Sequence, residues 1–356
     1  MTILHLIRSF GSNRPGGAEI NLLNLSKISA KYLSTENIIF SDYGIWKVYN
    51  SESNIKVQKY NKYSFILINI CNLNFLSIRN IHIHSNGSLI FFGYILSIFL
   101  NAKLIIKVTR VGEKSLLYRD KENQFDFKIF INRYFLKLIC NSKKTYLHLL
   151  TKSVRTISKE LTENIIIFPN IIEKGEYNEK LKIKNSFLIS SRMIKRKNID
   201  YTLNQLIEFN KIIKIYVNII GGGPELDRLK NKYKSFKKII MFKGHINHSE
   251  IKYYYQISEF FINLSYSEGM SNSLIEAMSF GCRCIITDIP ENRDTARENA
   301  VYFNKYSNFK EKFDEAKHLN CKQISKFSNN QYSIDNINLK SLKELYKVDN
   351  NLTRSR

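Results

Sequence analysis

No apolar run in this chain is long enough to cross a membrane. The longest, residues 89–100 (LIFFGYILSIFL), has twelve residues, against about 20 for a spanning helix. It reads instead as a well-buried helix feeding a strand at residues 103–109. The opening MTILHLIRSF lacks the charged-then-apolar order of a cleaved signal peptide, so none is expected. Cysteine is sparse and odd in number: Cys71, Cys140, Cys282, Cys284 and Cys321 have no paired metal spacing. That excludes a disulfide framework and points to reduced thiols in a cytoplasmic setting. No Asp-x-Asp pair occurs anywhere. Acids are scarce, 31 Asp and Glu against 55 Lys and Arg, a formal net charge of +24. The natural partners are therefore anionic: nucleic acid, a membrane surface or phosphorylated substrates.

What is present is an apolar chain, 44% hydrophobic over 356 residues, too long for one ordinary core and too apolar to be disordered. Short apolar runs alternate with helix-patterned ones, which predicts strand-helix-strand units and an α/β fold with parallel sheets. The first series has strands at residues 3–7, 38–40, 80–84, 103–109 and 155–157, with a helix over 18–29. The second has strands at 187–191, 214–220, 238–243, 260–264 and 283–287. Between them, residues 172–184 (IEKGEYNEKLKIK) are charged and aperiodic and read as a linker. The domains are therefore placed at residues 1–172 and 173–356. A last helix at 338–346 ends the second domain and is placed to pack back on the first, and the final residues, 350–356, are expected to fray.

Three loops could hold phosphate. In GSNRPGGAEI, Gly11 and Gly16 have Walker separation, but Gly17 and Ala18 stand where Lys and Ser or Thr are required. A glycine pair between a strand and a helix start remains, suited to an anion or to a tight turn that binds nothing. GGGPE at residues 221–225 resembles a dinucleotide turn, yet residues 236–246 hold no carboxylate for a ribose, which excludes a nicotinamide cofactor. SRMIKRKNID, from Ser191, leaves the end of a strand. Beside a diphosphate, Arg192 and Lys197 would form a paired cation clamp.

The stretch SEGMSNSLIEAMSFG follows another strand end. Ser271, Asn272 or Ser273 can cap a helix that Gly281 closes. Glu268 then lies in the loop, and Glu276 about one turn into the helix. The amides around Gly269, Met270, Ser271 and Asn272 offer donors for an anion, flanked by two carboxylates. A capping box from Ser273 would account for Glu276 but not for Glu268.

On these residues the chain resembles a retaining glycosyltransferase of the family 4 type. The segments are GGAEINLLNLS, IHIHSNG, ISKEL, FPNII, SRMIKRKN, IIGGGPELDRL, FKGHI and SEGMSNSLIEAMSFGCRCIITDIPENRD, in the family's order. The resemblance implies a GT-B fold: two Rossmann-like doubly wound domains facing across a cleft. It implies that Glu276 binds the ribose of the donor, that Glu268 lies near the donor sugar and that Arg192 and Lys197 meet the diphosphate. Gly16 and Gly17 would lie near donor phosphates or acceptor, and His245 and Ile246 near the base. Thr109 and Arg110 stand where the family often has a His, Ser191 replaces a usual glycine, and TARENAVYF lacks a glycine-rich turn.

The implied reaction moves a sugar from a UDP- or GDP-sugar co-substrate to a glycan or lipid-linked acceptor. Its expected setting is bacterial O-antigen or capsule synthesis. No other cofactor and no metal is expected. His82 and His84 share a strand face, and His245 and His248 are three apart, without a third ligand near in sequence. Residues 125–144 mix aromatics with cations along a helix, a pattern suited either to an anionic membrane surface, and so to peripheral attachment, or to a solvated face over a buried stripe. A silent sugar-nucleotide-binding protein is the alternative. A nucleic-acid-binding protein ranks lower, since no groove-reading or RNA-binding signature occurs.

Overall fold

The structure, a computed structural model, describes residues 1–9, 16–43, 55–59, 77–85, 87–109 and 127–346. Gly11, Cys71, Arg110 and the tail at 350–356 lie outside the described residues. The chain divides into two compact units, Met1–Ile171 with Asn338–Arg356, and Ile172–Ile337.

The first unit runs β1 (Thr2–Ser9), α1 (Gly17–Leu33), β2 (Glu36–Tyr43), β3 (Ile55–Lys59), β4 (Ile78–Ile83), α2 (Ser88–Phe99), β5 (Lys103–Val108), α3 (Phe127–Cys140), β6 (Thr145–Leu149), α4 (Arg155–Lys159) and β7 (Ile165–Ile167). Its seven strands form one parallel sheet in the order β3-β2-β1-β4-β5-β6-β7. The second unit runs β8 (Ile183–Ser190), α5 (Ile199–Asn210), β9 (Tyr216–Ile220), α6 (Leu226–Lys232), β10 (Ile240–Gly244), α7 (His248–Ile257) and β11 (Ser258–Asn263). It continues with α8 (Asn272–Ser279), β12 (Arg283–Thr287), α9 (Pro290–Ala296), β13 (Ala300–Phe303), α10 (Phe309–Lys317) and α11 (Cys321–Tyr332). Its six strands pair in parallel as β10-β9-β8-β11-β12-β13. A final helix, α12 (Leu339–Tyr346), returns to the first unit.

The strands are near-continuous apolar runs because a parallel sheet covered on both faces buries every side chain. Phe187, Phe260 and Ile285 are wholly inaccessible, and the rings of Phe187 and Phe260 stack with centroids 5.0 Å apart. In each sheet the order reverses beside its first strand, between β1 and β4 and between β8 and β11. Such a reversal opens a crevice at the carboxyl ends of the two strands, where open α/β sheets bind ligands.

Three expectations are corrected. Residues 155–157 belong to the helix α4, not to a strand; the chain already turns helically at Val154, whose carbonyl accepts the Ser158 hydroxyl at 2.8 Å. Residues 172–184 are docked rather than free. Ile172 bridges Ser333, and Gly175 exchanges hydrogen bonds with the Asn329 amide at 3.1 and 2.9 Å. A Cβ on Gly175 would lie 2.3 Å from the Ser279 hydroxyl, so the backbone itself is the packing surface there. Finally, α2 buries only one face: Leu89 and Ile90 enter the core while Phe91, Ile95, Ile98 and Phe99 stand exposed.

Candidate active site at the sheet reversal of the second unit

Four loops meet at the carboxyl ends of β10, β9, β8 and β11. The loop after β8 leaves Arg192 exposed, buries Met193 and makes a short turn at Lys195–Lys197 before α5. Asn198 ends that turn in the left-handed region, φ 53°, and its side-chain amide donates to Leu264 O at 3.1 Å, pinning the loop to the exit of β11. The Tyr266 amide donates to Arg196 O at 3.0 Å, a second tie between the two loops.

These ties deliver Glu268 into the reversal. Its carboxylate accepts from Lys197 Nζ, from Arg196 Nη1 at 3.3 Å and from Asn263 Nδ2 at 3.2 Å. Burial alone would push the Glu268 pKa up, but the charges of Lys197 and Arg196 outweigh it and hold the carboxyl below its ordinary range. The cluster is thus one carboxylate with two cations. Arg192 stands exposed in the same loop and, among the described residues, pairs with neither glutamate.

Glu276 sits on α8, which Ser271 caps: its hydroxyl accepts from the Leu274 amide at 3.4 Å. Gly281 follows the helix at φ 71°, where a Cβ would meet the Tyr177 ring at 2.5 Å. A capping box does not hold Glu276; the hydroxyl of the fully buried Tyr255, on α7, donates to its Oε2 at 2.8 Å. The same hydroxyl bonds Ser190 at the end of β8, so Tyr255 links Glu276 to the strand that carries the cation loop. Gly269, Met270 and Ser271 are buried around Glu268, and Asn272 opens α8 half-buried.

Two of the three glycines after β9 serve the protein's own backbone. Gly221 (φ 133°) and Gly223 (φ 150°) lie so close to the β8 loop that a Cβ would fall 1.8 Å from Ser191 O and 2.4 Å from Met193 O. Gly222 is different: its nearest neighbour would be His245 Cβ at 3.8 Å. His245 is exposed beside this turn, and Ile246 half-buried.

Gly16 and Gly17 belong to the first unit, at the start of α1. There the Gly16 amide donates to Glu19 Oε2 at 2.6 Å, so the chain's own carboxylate meets the helix start. The structure therefore brings Lys197 to Glu268, sets Glu276 on the neighbouring helix, and keeps the two N-terminal glycines in the other unit. Arg196 and Tyr255 escaped the sequence reading. In a run of adjacent cations nothing in the sequence says which one the turn points inward.

One group of side chains among the described residues could hold a metal. His5, His82 and His84 are buried with one ring nitrogen each within 4.8 Å of the others. Sequence spacing could not show it, since His5 comes from a separate strand. Hydrogen bonds already define the rings. Phe168 O accepts from His148 Nε2 at 2.7 Å, so His148 Nδ1 is bare and accepts from His82 Nε2 at 3.1 Å. His82 Nδ1 in turn accepts the Tyr346 hydroxyl at 2.9 Å. Asn37 Oδ1 accepts from His5 Nε2 at 3.0 Å, leaving His5 Nδ1 to accept from His84 at 3.1 Å. Burial drives His5 down to about 4 and His148 to about 3, and lowers His82 and His84 well below the ordinary value. Nearby Lys107 is buried and pairs with no carboxylate among the described residues, donating to Asn21 and Asn170 at 2.7 and 3.0 Å, and burial lowers it to about 7.

Residues 170–333 match the family described as glycosyl transferases group 1. That match covers most of the second unit. The chain also resembles curated proteins over part of their length. One is the GtfA subunit of the UDP-N-acetylglucosamine–peptide N-acetylglucosaminyltransferase of Streptococcus agalactiae, 31% identical over 134 residues, 36% of this chain and 25% of that protein. Another is the alpha-monoglucosyldiacylglycerol synthase of Acholeplasma laidlawii, 30% identical over 139 residues, 36% of this chain and 34% of that protein. The matches thus span a quarter to a third of those relatives. Over the whole chain the fold is GT-B: HepE of Anabaena, solved with UDP and glucose, covers 98% of this chain and 100% of its own with a TM-score of 0.74 at 12% identity.

Proposed function

We propose that this protein is a glycosyltransferase that takes a sugar from a nucleoside-diphosphate donor, UDP- or GDP-linked, and passes it with retention to a glycan or lipid-linked acceptor. The observation that carries this reading is the cluster of Glu268 with Lys197 and Arg196 at the β8–β11 reversal. One carboxylate with two cations leaves a net positive charge, and exposed Arg192 adds another, suited to a departing diphosphate. In this reading Arg192 and Lys197 stabilise that charge, Glu268 holds Lys197 and borders the sugar, and Glu276 on α8 binds the ribose. Gly269, Met270, Ser271 and Asn272 line the donor, and His245 and Ile246 the base. The likeness to a UDP-N-acetylglucosamine–peptide N-acetylglucosaminyltransferase subunit supports a nucleotide-sugar donor, and the likeness to a monoglucosyldiacylglycerol synthase supports a lipid acceptor. The two-glutamate motif supports retention, and O-antigen or capsule synthesis beside a membrane is the setting proposed.

Fixed cations can take the role a divalent ion plays on phosphates, so transfer is proposed to proceed without metal. Arg192→Ala removes one preorganised donor, a loss of about 3 kcal/mol. Turnover should fall roughly a hundredfold or more, with the unfolding midpoint unchanged because the side chain is exposed. Near-normal transfer in that variant, or loss of wild-type transfer in chelator, would refute the assignment. Donor binding without slow donor hydrolysis would favour the silent binding protein.

A further inference from the structure

We propose that α2 and α3 of the first unit form a docking face for an anionic lipid bilayer. Four side chains of α2 point outward, with Phe99 75%, Ile98 64%, Phe91 54% and Ile95 50% exposed. On α3, Tyr134, Phe135 and Leu138 are exposed as well. The two helices present one surface: the rings of Phe91 and Phe135 meet edge to face at 6.4 Å, and Lys144 Nζ donates to Asn101 just beyond α2. Scattered exposed apolar side chains are ordinary, but a continuous patch of aromatic and aliphatic groups marks an interaction surface.

Charge selects the occupant. Residues 87–109 and 127–159 contain ten Lys or Arg, of which Lys107 is buried, and no Asp or Glu. Exposed Lys137 lies beside Leu138, and exposed Lys143 follows α3, at the same helix ends as Ile98 and Phe99. Apolar side chains entering the headgroup region with cations at their border describe an interfacial membrane contact. A second copy of the chain would set two cationic borders against each other, and a nucleic acid would leave the aliphatic groups unburied. No helix of the described residues is long and apolar enough to span the bilayer, so the contact is with its surface. The inference goes beyond the donor reading and does not depend on it, because a chain that transfers no sugar would dock equally well.

The test is flotation of the full chain with vesicles of phosphatidylcholine alone and of phosphatidylcholine with phosphatidylglycerol in equal parts. The wild type should float with the second and stay behind with the first, and high salt should release it. The double variant Ile98→Gln with Phe99→Gln, both exposed, should bind anionic vesicles at least tenfold more weakly, as should Lys137→Glu with Lys143→Glu, while each keeps its circular dichroism and donor binding. Equal flotation with both vesicles, no flotation, or full binding by either double variant would overturn the proposal. So would a wild-type dimer in sedimentation that the apolar variant dissociates, or binding to RNA that the apolar variant retains.

Discussion

Glu268 and Lys197 form a close pair that is largely withdrawn from water, and a buried charge stripped of its partner costs several kcal/mol in general. Removing Glu268 therefore threatens folding as well as chemistry, whereas Tyr255 offers a cleaner probe. Its hydroxyl contacts Glu276 and Ser190 from a fully buried ring, and Tyr255→Phe keeps the packing while deleting both contacts, of which the bond to Glu276 is worth about 1 kcal/mol. If Glu276 holds the donor ribose, the KM for nucleotide sugar should rise about fivefold with kcat little changed. A fall in kcat at constant KM would place Tyr255 in the chemical step instead. The positions of Glu268 and Glu276 relative to their helix were legible from Ser271 and Gly281, because capping residues announce helix ends. Arg196, Tyr255 and His5 were not, since each reaches its partner across strands that only the fold makes neighbours.

At the scale of elements, strands with continuous apolar sequence, such as β8, β11 and β12, are plain to read, because both faces of the sheet are covered. The strands missed were those that break the rule. β3 (IKVQK) carries polar residues at alternate positions, β6 (TYLHL) holds His148 for the buried ring network, and β7 has three residues. β13 (AVYF) is short and lies within a segment that reads only as a departure from the family's pattern. The turn after β9 shows how a glycine run divides its labour. Gly221→Ala should destabilise the second unit by several kcal/mol, because its Cβ would fall 1.8 Å from Ser191 O at φ 133°. Gly222→Ala, with 3.8 Å to its nearest neighbour, should unfold within about 0.5 kcal/mol of wild type. Urea melts of the two variants separate these outcomes, and equal midpoints would show that the β8 loop yields to the added carbon.

For the whole molecule, the ring network makes stability depend on pH. The folded values of His5, His82, His84 and His148 all lie below the ordinary imidazole value of about 6.5. The unfolded chain therefore takes up protons first, so stability is intact above that pH and is lost as pH falls through it toward the folded values. Each ring removes up to about 1.4 kcal/mol per pH unit in this window. The urea midpoint should drop between pH 7 and pH 5, and a flat profile would show that the rings are charged or exposed in the folded state. Division into two α/β halves was readable from the alternation of runs. That residues 172–184 dock on the second unit was not, because charged side chains on a segment do not reveal where its backbone packs.

The helix α12 closes the first unit although the second lies before it in the chain. Leu342, Leu345 and Tyr346 are wholly inaccessible, and Lys103 Nζ holds its last carbonyls at 3.0 and 3.1 Å. A protein cut between residues 171 and 172 would thus be two polypeptides but one particle, the later piece plugging the earlier with its own terminus. Co-expressed halves should purify together on a tag carried by either, and deleting residues 338–356 should let them part.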